Sequence, residues 1–114
     1  MYSKFIEYEE ISPNLIKAVI AMEDNRFYSH YGIDIRAILR ALYVNVTNLS
    51  YKQGGSTITQ QLAKITFLNS EKSILRKIKE LFITIKLETL LEKEEILSLY
   101  LNRAYFGSGN YGVK

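Results

Sequence analysis

The chain has 114 residues, 47% apolar and 24% charged, enough for one domain with a modest core. It contains no cysteine, which excludes a disulfide framework, a thiolate metal site and a cysteine nucleophile. A formal net charge of +3 suits anionic partners of several kinds and selects none.

No apolar run approaches the ~20 residues of a membrane span, and no signal-peptide pattern opens the chain. Work at a membrane would therefore require an anchor outside these residues. In chain order, Ser12 and Pro13 read as an N-cap followed by proline in the first helical position. Leu15, Ile16, Val19 and Ile20 recur at helical spacing, and Glu23 continues their stripe. A turn at 30–32 ends this helix. Asp34 caps the next, with Ile35, Ile38, Leu39, Leu42 and Val46 expected on its core face and Arg36 and Arg40 on another. The polar stretch 45–55 reads as a loop. Thr57 and Gln60 have the spacing of a capping box that opens a helix to about Leu68, with Ile58, Leu62 and Ile65 as its apolar line. Ser70 is the expected cap of the longest helix, whose core stripe would be Ile74, Leu75, Ile78, Leu81, Phe82 and Ile85. Ile96, Leu97, Tyr100, Leu101 and Ala104 mark a last helix, which runs into the glycine-rich stretch 105–112. No segment alternates as a strand does, so the expected class is all-α.

Three clusters have residue types suited to chemistry. A carboxylate on a core-facing stripe, as Glu23 is, would be partly desolvated and suited to general acid–base work. Spacing alone favours the plainer reading, a helix-end carboxylate that curls back to solvent or bonds to the turn at 28–32. Glu80 lies one helical turn beyond Arg76 and Lys77, so the three share a face. That is either a surface ion pair or a cationic patch that could hold a phosphate. In GGSTITQQLAK, residues 54–64, two glycines precede a helix start whose amides could hold an anion or a sugar oxygen, with Gln60, Gln61 and Lys64 nearby. Its spacing is not that of a nucleotide P-loop. His30 is the sole histidine, and a structural place in the turn fits it better than a metal site.

Taken together, these blocks resemble the bacterial peptidoglycan glycosyltransferase family, the transglycosylase domains of bifunctional penicillin-binding proteins and their monofunctional relatives. EDNRFYSHYGID, residues 23–34, is similar to the first family motif at Glu23, Asp24, Phe27, His30, Gly32 and Asp34. Arg40, Ala41 and Asn45 match the helix that follows. GGSTITQQLAK resembles the second motif, RKIKE with KLE at 86–88 the third, and residues 94–113 the fourth and fifth. Ile65 and Ser98 depart from the pattern, standing where asparagine and an acidic residue are expected.

The resemblance implies a lysozyme-like helical fold and polymerisation of lipid II into a growing glycan, with release of undecaprenyl pyrophosphate. It implies Glu23 as the base on the acceptor 4-hydroxyl and Glu80 as a second acid on the pyrophosphate side. Arg40, Lys64, Arg76 and Lys77 would surround the diphosphates, and Gln60 and Gln61 the donor-side sugar. Asp24, Phe27, Ser56 and Thr57 would complete the substrate-binding set. No resident metal site is implied, although Asp24 and Glu80 could help bind a divalent cation such as Mg2+ brought with pyrophosphate. The implied setting is the outer face of the bacterial cytoplasmic membrane, reached through an anchor missing from this chain, with no nucleic-acid partner. A transpeptidase domain could accompany it in the full protein. Because family domains carry an anchor before this region and further helices after it, residues 1–114 read as a partial, truncated domain. A lysozyme-like hydrolase and a non-catalytic helical binding module are the competing readings. The basic residues around Glu80 separate transfer from a diphosphate from hydrolysis of a neutral glycan. A binding module would not bring Glu23, Glu80 and Lys64 together.

Overall fold

The computed structural model describes residues 5–48, 54–69, 71 and 73–105. Among them a 3-10 turn, Tyr8–Glu10, precedes five helices: α1 (Pro13–Glu23), α2 (Ile35–Asn48), α3 (Ile58–Phe67), α4 (Ile74–Leu90) and α5 (Lys93–Ala104). No strand occurs among the described residues, and no helix there is long and apolar enough to cross a membrane. The all-α expectation therefore holds.

Local chemistry sets most boundaries. Pro13 opens α1 after Ser12. Asp34 Oδ1 accepts the Ala37 amide at the start of α2. The Thr57–Gln60 capping box opens α3, with the Thr57 hydroxyl taking the Gln60 amide and the Gln60 side chain taking the Thr57 amide. Two further boxes, Glu7 with Glu10 and Glu92 with Glu95, open the 3-10 turn and α5. They use glutamate at both ends, so a search for serine or threonine caps does not find them.

Three boundary expectations change. α2 runs to Asn48, so 45–48 is helix and not loop. Ser73 caps α4, its Oγ accepting the Arg76 amide; Ser70 lies outside the described residues, as do 49–53 and most of the glycine-rich stretch after Tyr105. The first turn begins at Asn25, directly after α1.

α3 is the central element and packs against both α4 and α5. The core gathers Ile6 and Ile11 of the N-terminal strap, Ile16 and Val19 of α1, Phe27, Ile58 and Leu62 of α3, and Ile96, Leu97, Tyr100 and Leu101 of α5. Asn102 joins the strap to α5: its Oδ1 accepts the Ile6 amide and its Nδ2 donates to the Ile6 carbonyl, both at 2.8 Å. Ser98 Oγ donates to the same carbonyl, which gives this departure from the family pattern a structural use.

The largest correction concerns the faces of α2 and α4. Ile74 is 80% exposed and Phe82 72%, and Leu75, Ile78 and Ile85 also face outward. The buried residues of α4 are Glu80 and Thr84, while Leu81 is half-buried. On α2, Ile35, Ile38, Leu39, Leu42 and Val46 are exposed and Ala41 is buried. Ile65 of α3 is exposed too. Periodicity identifies which face of a helix is apolar, but not what covers it. Here the polar face of α4 turns inward, with Glu88 accepting from the buried Thr59 hydroxyl and Thr84 packed beside the Gly32 turn.

Candidate active site

Glu23 is the last residue of α1 and is half-buried. It opens onto a cleft of about 570 Å³ lined by residues of the first block, the start of α2 and the segment before α3, among them Asp24, Asn25, Arg40, Ser56 and Thr57. Its Oε1 accepts a 3.4 Å hydrogen bond from Gln61 Nε2, and Gln61 Oε1 in turn accepts one of 2.9 Å from the Tyr100 hydroxyl. The core stripe of α1 thus delivers one carboxylate to the rim of a polar hollow.

The wall beside it is fixed by a buried network. Gly32 N–H donates to His30 Nδ1 at 2.9 Å, which leaves the ring proton on Nε2 to donate to Asp24 Oδ2 at 2.7 Å. The Ile58 amide donates to the same Asp24 oxygen at 3.0 Å. Thr57 Oγ1 donates to the Gly32 carbonyl at 2.6 Å. The first and second blocks are therefore joined at three places, and α3 is registered against the turn that follows Glu23. Gly32 has φ +109°, and a Cβ there would lie 2.7 Å from Thr84 Cγ2. At Gly55 a Cβ would lie 3.0 Å from the Ile38 Cα, so the segment before α3 passes tightly against α2 there.

Asp24, His30 and Asp34 present ligand-type atoms within 4.8 Å of one another. Both ring nitrogens of His30 are already engaged, so the cluster is a hydrogen-bonded anchor. Asp34 pairs with Arg26 at 3.3 Å as well as capping α2. Burial pushes its carboxyl pKa up, but the Ala37 amide and the Arg26 charge outweigh that and hold it below the ordinary 3.8.

Glu80 is 2% exposed and fully paired, with Arg76 NH1 at 2.8 Å on Oε1 and Lys77 Nζ at 2.7 Å on Oε2. Arg76 Nε also donates to the Glu71 carbonyl. Glu80 is absent from the wall of the Glu23 cleft. Lys77 borders a second groove of about 450 Å³, shared with Ala41, Asn45, Gly55 and Gln60; Ser56 lines both hollows. One cleft for both acids was expected. The structure has two hollows that share the segment before α3.

Other expected contacts also move. Phe27 is fully buried, beneath Lys93 Nζ at 4.6 Å from its ring centroid, and is a core residue out of a substrate's reach. Gln60 is buried and engaged in the capping box. Thr57 is buried and spends its hydroxyl on Gly32 and Gln60. Asp24 reaches the cleft, but its Oδ2 holds two donors. The amides at the start of α3 are likewise occupied, Ile58 by Asp24 and Gln60 by Thr57, so they do not form the open anion cradle expected there. Lys64 is half-buried on α3 and lines neither hollow. Arg40 and Ser56 stand exposed on the cleft as expected.

Two supporting residues escape a sequence reading. Tyr100 reads as part of an apolar stripe, and only its polar tip hints at the bond to Gln61. Lys93 reads as surface, yet Nζ donates to the His30 carbonyl at 2.7 Å and to Glu88 at 2.9 Å, while Glu88 also accepts from Thr59.

A family model described as "Transglycosylase" matches residues 1–114. The chain is 53% identical to penicillin-binding protein 1A of Vibrio cholerae serotype O1 over 108 residues, 95% of this chain and 13% of that protein. It is 50% identical to penicillin-binding protein 1A of Escherichia coli strain K12 over a stretch of the same length, again 95% of this chain and 13% of the relative. With the biosynthetic peptidoglycan transglycosylase of Nitrosomonas eutropha it shares 47% identity over 111 residues, 97% of this chain and 46% of that protein. The chain thus spans less than half the length of each of these relatives. The match of one family model to the whole chain, with the first and second motifs folded into a single hydrogen-bonded unit, places the chain in the transglycosylase family.

Proposed function

We propose that this chain carries the glycosyl-transfer chemistry of peptidoglycan synthesis, with lipid II and the growing glycan as substrates. The observation that carries the reading is Glu23, half-buried at the end of α1 on a polar cleft with Arg40 and Ser56. Glu23 takes the proton of the acceptor 4-hydroxyl as that oxygen bonds to the donor's anomeric carbon. The bond from that carbon to the pyrophosphate breaks, and undecaprenyl pyrophosphate leaves with the bonding pair.

On the leaving-group side, Glu80 is a positioning residue. It holds Arg76 and Lys77 by direct ion pairs, and Lys77 borders the groove next to the Glu23 cleft. A carboxylate whose two oxygens each face a cation is poorly suited to ligating Mg2+, and Asp24 Oδ2 is committed to His30 and Ile58. These two carboxylates do not fit a divalent-cation site. The exposed apolar residues of α2 and α4 suit the membrane surface in which a lipid-linked substrate lies. The setting is the outer face of the bacterial cytoplasmic membrane, with anchor and transpeptidase functions supplied outside residues 1–114.

The test is lipid II polymerisation by Glu23→Gln in the full-length protein. Turnover is expected to fall on the order of a hundredfold or more, with donor binding retained. Near-normal polymerisation by a folded Glu23→Gln protein would falsify the assignment. Release of free sugar ends without chain growth would instead indicate a hydrolase.

A further inference from the structure

We infer that Tyr100 is a positioning residue that acts on Glu23 through the side-chain amide of Gln61 and leaves Glu23 Oε2 as the proton-accepting atom. The inference rests on the proposed role of Glu23 as base. Tyr100 is buried on α5, so its hydroxyl needs a partner, and it finds Gln61 Oε1 at 2.9 Å. An amide has a donor end and an acceptor end. Once Oε1 receives the tyrosine proton, Nε2 is the end that faces Glu23, where it donates to Oε1 at 3.4 Å. An ionised carboxylate only accepts, so the whole relay has one consistent direction, from tyrosine through amide to carboxylate.

The alternative direction would turn the amide oxygen toward the carboxylate. Without the tyrosine hydroxyl, the carboxylate's own demand for a donor is all that opposes that rotation within the relay. Burial first, then the negative charge of Glu23 and the nearby Tyr105, push the phenol well above its ordinary 10, so it stays a donor at neutral pH. Among the described residues the Gln61 bond is the sole hydrogen bond to the Glu23 carboxylate. It occupies Oε1 and leaves Oε2 for an acceptor hydroxyl entering the cleft. At 3.4 Å the last link is long, so its effect is on orientation more than on binding strength. In this way α5, which lines no part of the cleft, bears on its chemistry.

The experiment compares Tyr100→Phe in two backgrounds of the full-length protein, wild type and Glu23→Gln, by lipid II polymerisation and thermal unfolding. In wild type, kcat is expected to fall on the order of 3- to 10-fold with KM unchanged. In Glu23→Gln the same change is expected to add no further loss. Gln61→Met, which keeps length and removes both polar atoms, is expected to match Tyr100→Phe, and the two together to cost no more than either. Gln61 is half-exposed, so this second variant keeps the test open if Tyr100→Phe disturbs folding. Unchanged turnover in both single variants, or equal losses from Tyr100→Phe in the two backgrounds, would overturn the relay while leaving an inactive Glu23→Gln in support of the base. An active Glu23→Gln would overturn the base reading and the relay with it.

Discussion

Thr57 donates its hydroxyl proton to the carbonyl of Gly32, 25 residues earlier, in a 2.6 Å bond buried between two loops. One side chain thereby caps α3 and fixes the turn behind Glu23. The Asp24 bond to the Ile58 amide runs parallel to it. The position of the proposed base relative to α3 is therefore set by buried bonds of known direction.

Gly32→Ala tests how tightly this turn is built. The backbone sits at φ +109°, and the added methyl would meet Thr84 Cγ2 at 2.7 Å. Backbone strain and overpacking add, so stability is expected to fall on the order of 3 kcal/mol, read from urea unfolding. A loss below about 0.5 kcal/mol would mean that the turn has room to relax.

Asp34 should give the protein a defined acid limb. Its folded-state pKa lies below the ordinary 3.8, so its ionised form stabilises the fold above that value, and the contribution is lost as pH falls through the lower, folded pKa. Asp34→Asn keeps a cap on α2 but gives up the Arg26 pair. It should be less stable than wild type at pH 7, with the gap closing as both proteins are acidified below the ordinary value. Thermal midpoints measured from pH 7 down to strong acid would show it. A gap that stays constant would contradict the assignment.

The family resemblance places Arg76 at the diphosphates. Its side chain is 14% exposed and bound to a buried carboxylate, so Arg76→Ala should destabilise as well. With Lys77 remaining as partner, the expected cost is about 2–4 kcal/mol. Lys77 is 44% exposed, and Lys77→Ala should cost about 1 kcal/mol or less while weakening pyrophosphate binding more. Unfolding curves and binding of a lipid pyrophosphate, taken on the same samples, separate the two residues.

Phe82→Ser checks the outward face of α4. At an exposed position the change should move stability by about 0.5 kcal/mol or less, whereas truncating a buried phenylalanine costs about 3–5 kcal/mol. The same change should reduce binding to anionic lipid vesicles if this face meets a membrane. Vesicle binding equal to wild type would remove that part of the proposal.

Particular positions show what could be read from residues alone. The Asp34 cap and the Thr57 box were legible because each is a local bond over three residues, and the start of α1 because Pro13 suits the first helical position. Glu23 was legible as a polar member of a buried stripe. The inward polar face of α4 was not, because Thr59, which donates to Glu88, and the Gly32 turn, which packs beside Thr84, arrive from distant segments. Periodicity carries no information about them. Phe27 was assigned to substrate through family resemblance, and its burial under Lys93 depends on a helix more than 60 residues away.

The Ile6–Asn102 clasp bears on how the protein is made. Its partners are 96 residues apart, so the first described segment has no anchor until nearly all of this stretch has been synthesised. Chains grow from the N-terminus at about 5–20 residues per second, so the strap waits seconds for α5. During that interval Ile6 and Ile11 lack the surface that buries them. A ribosome stalled before residue 98 would hold a nascent chain with α1 to α4 already made and an uncovered apolar strap, a natural target for chaperones and proteases.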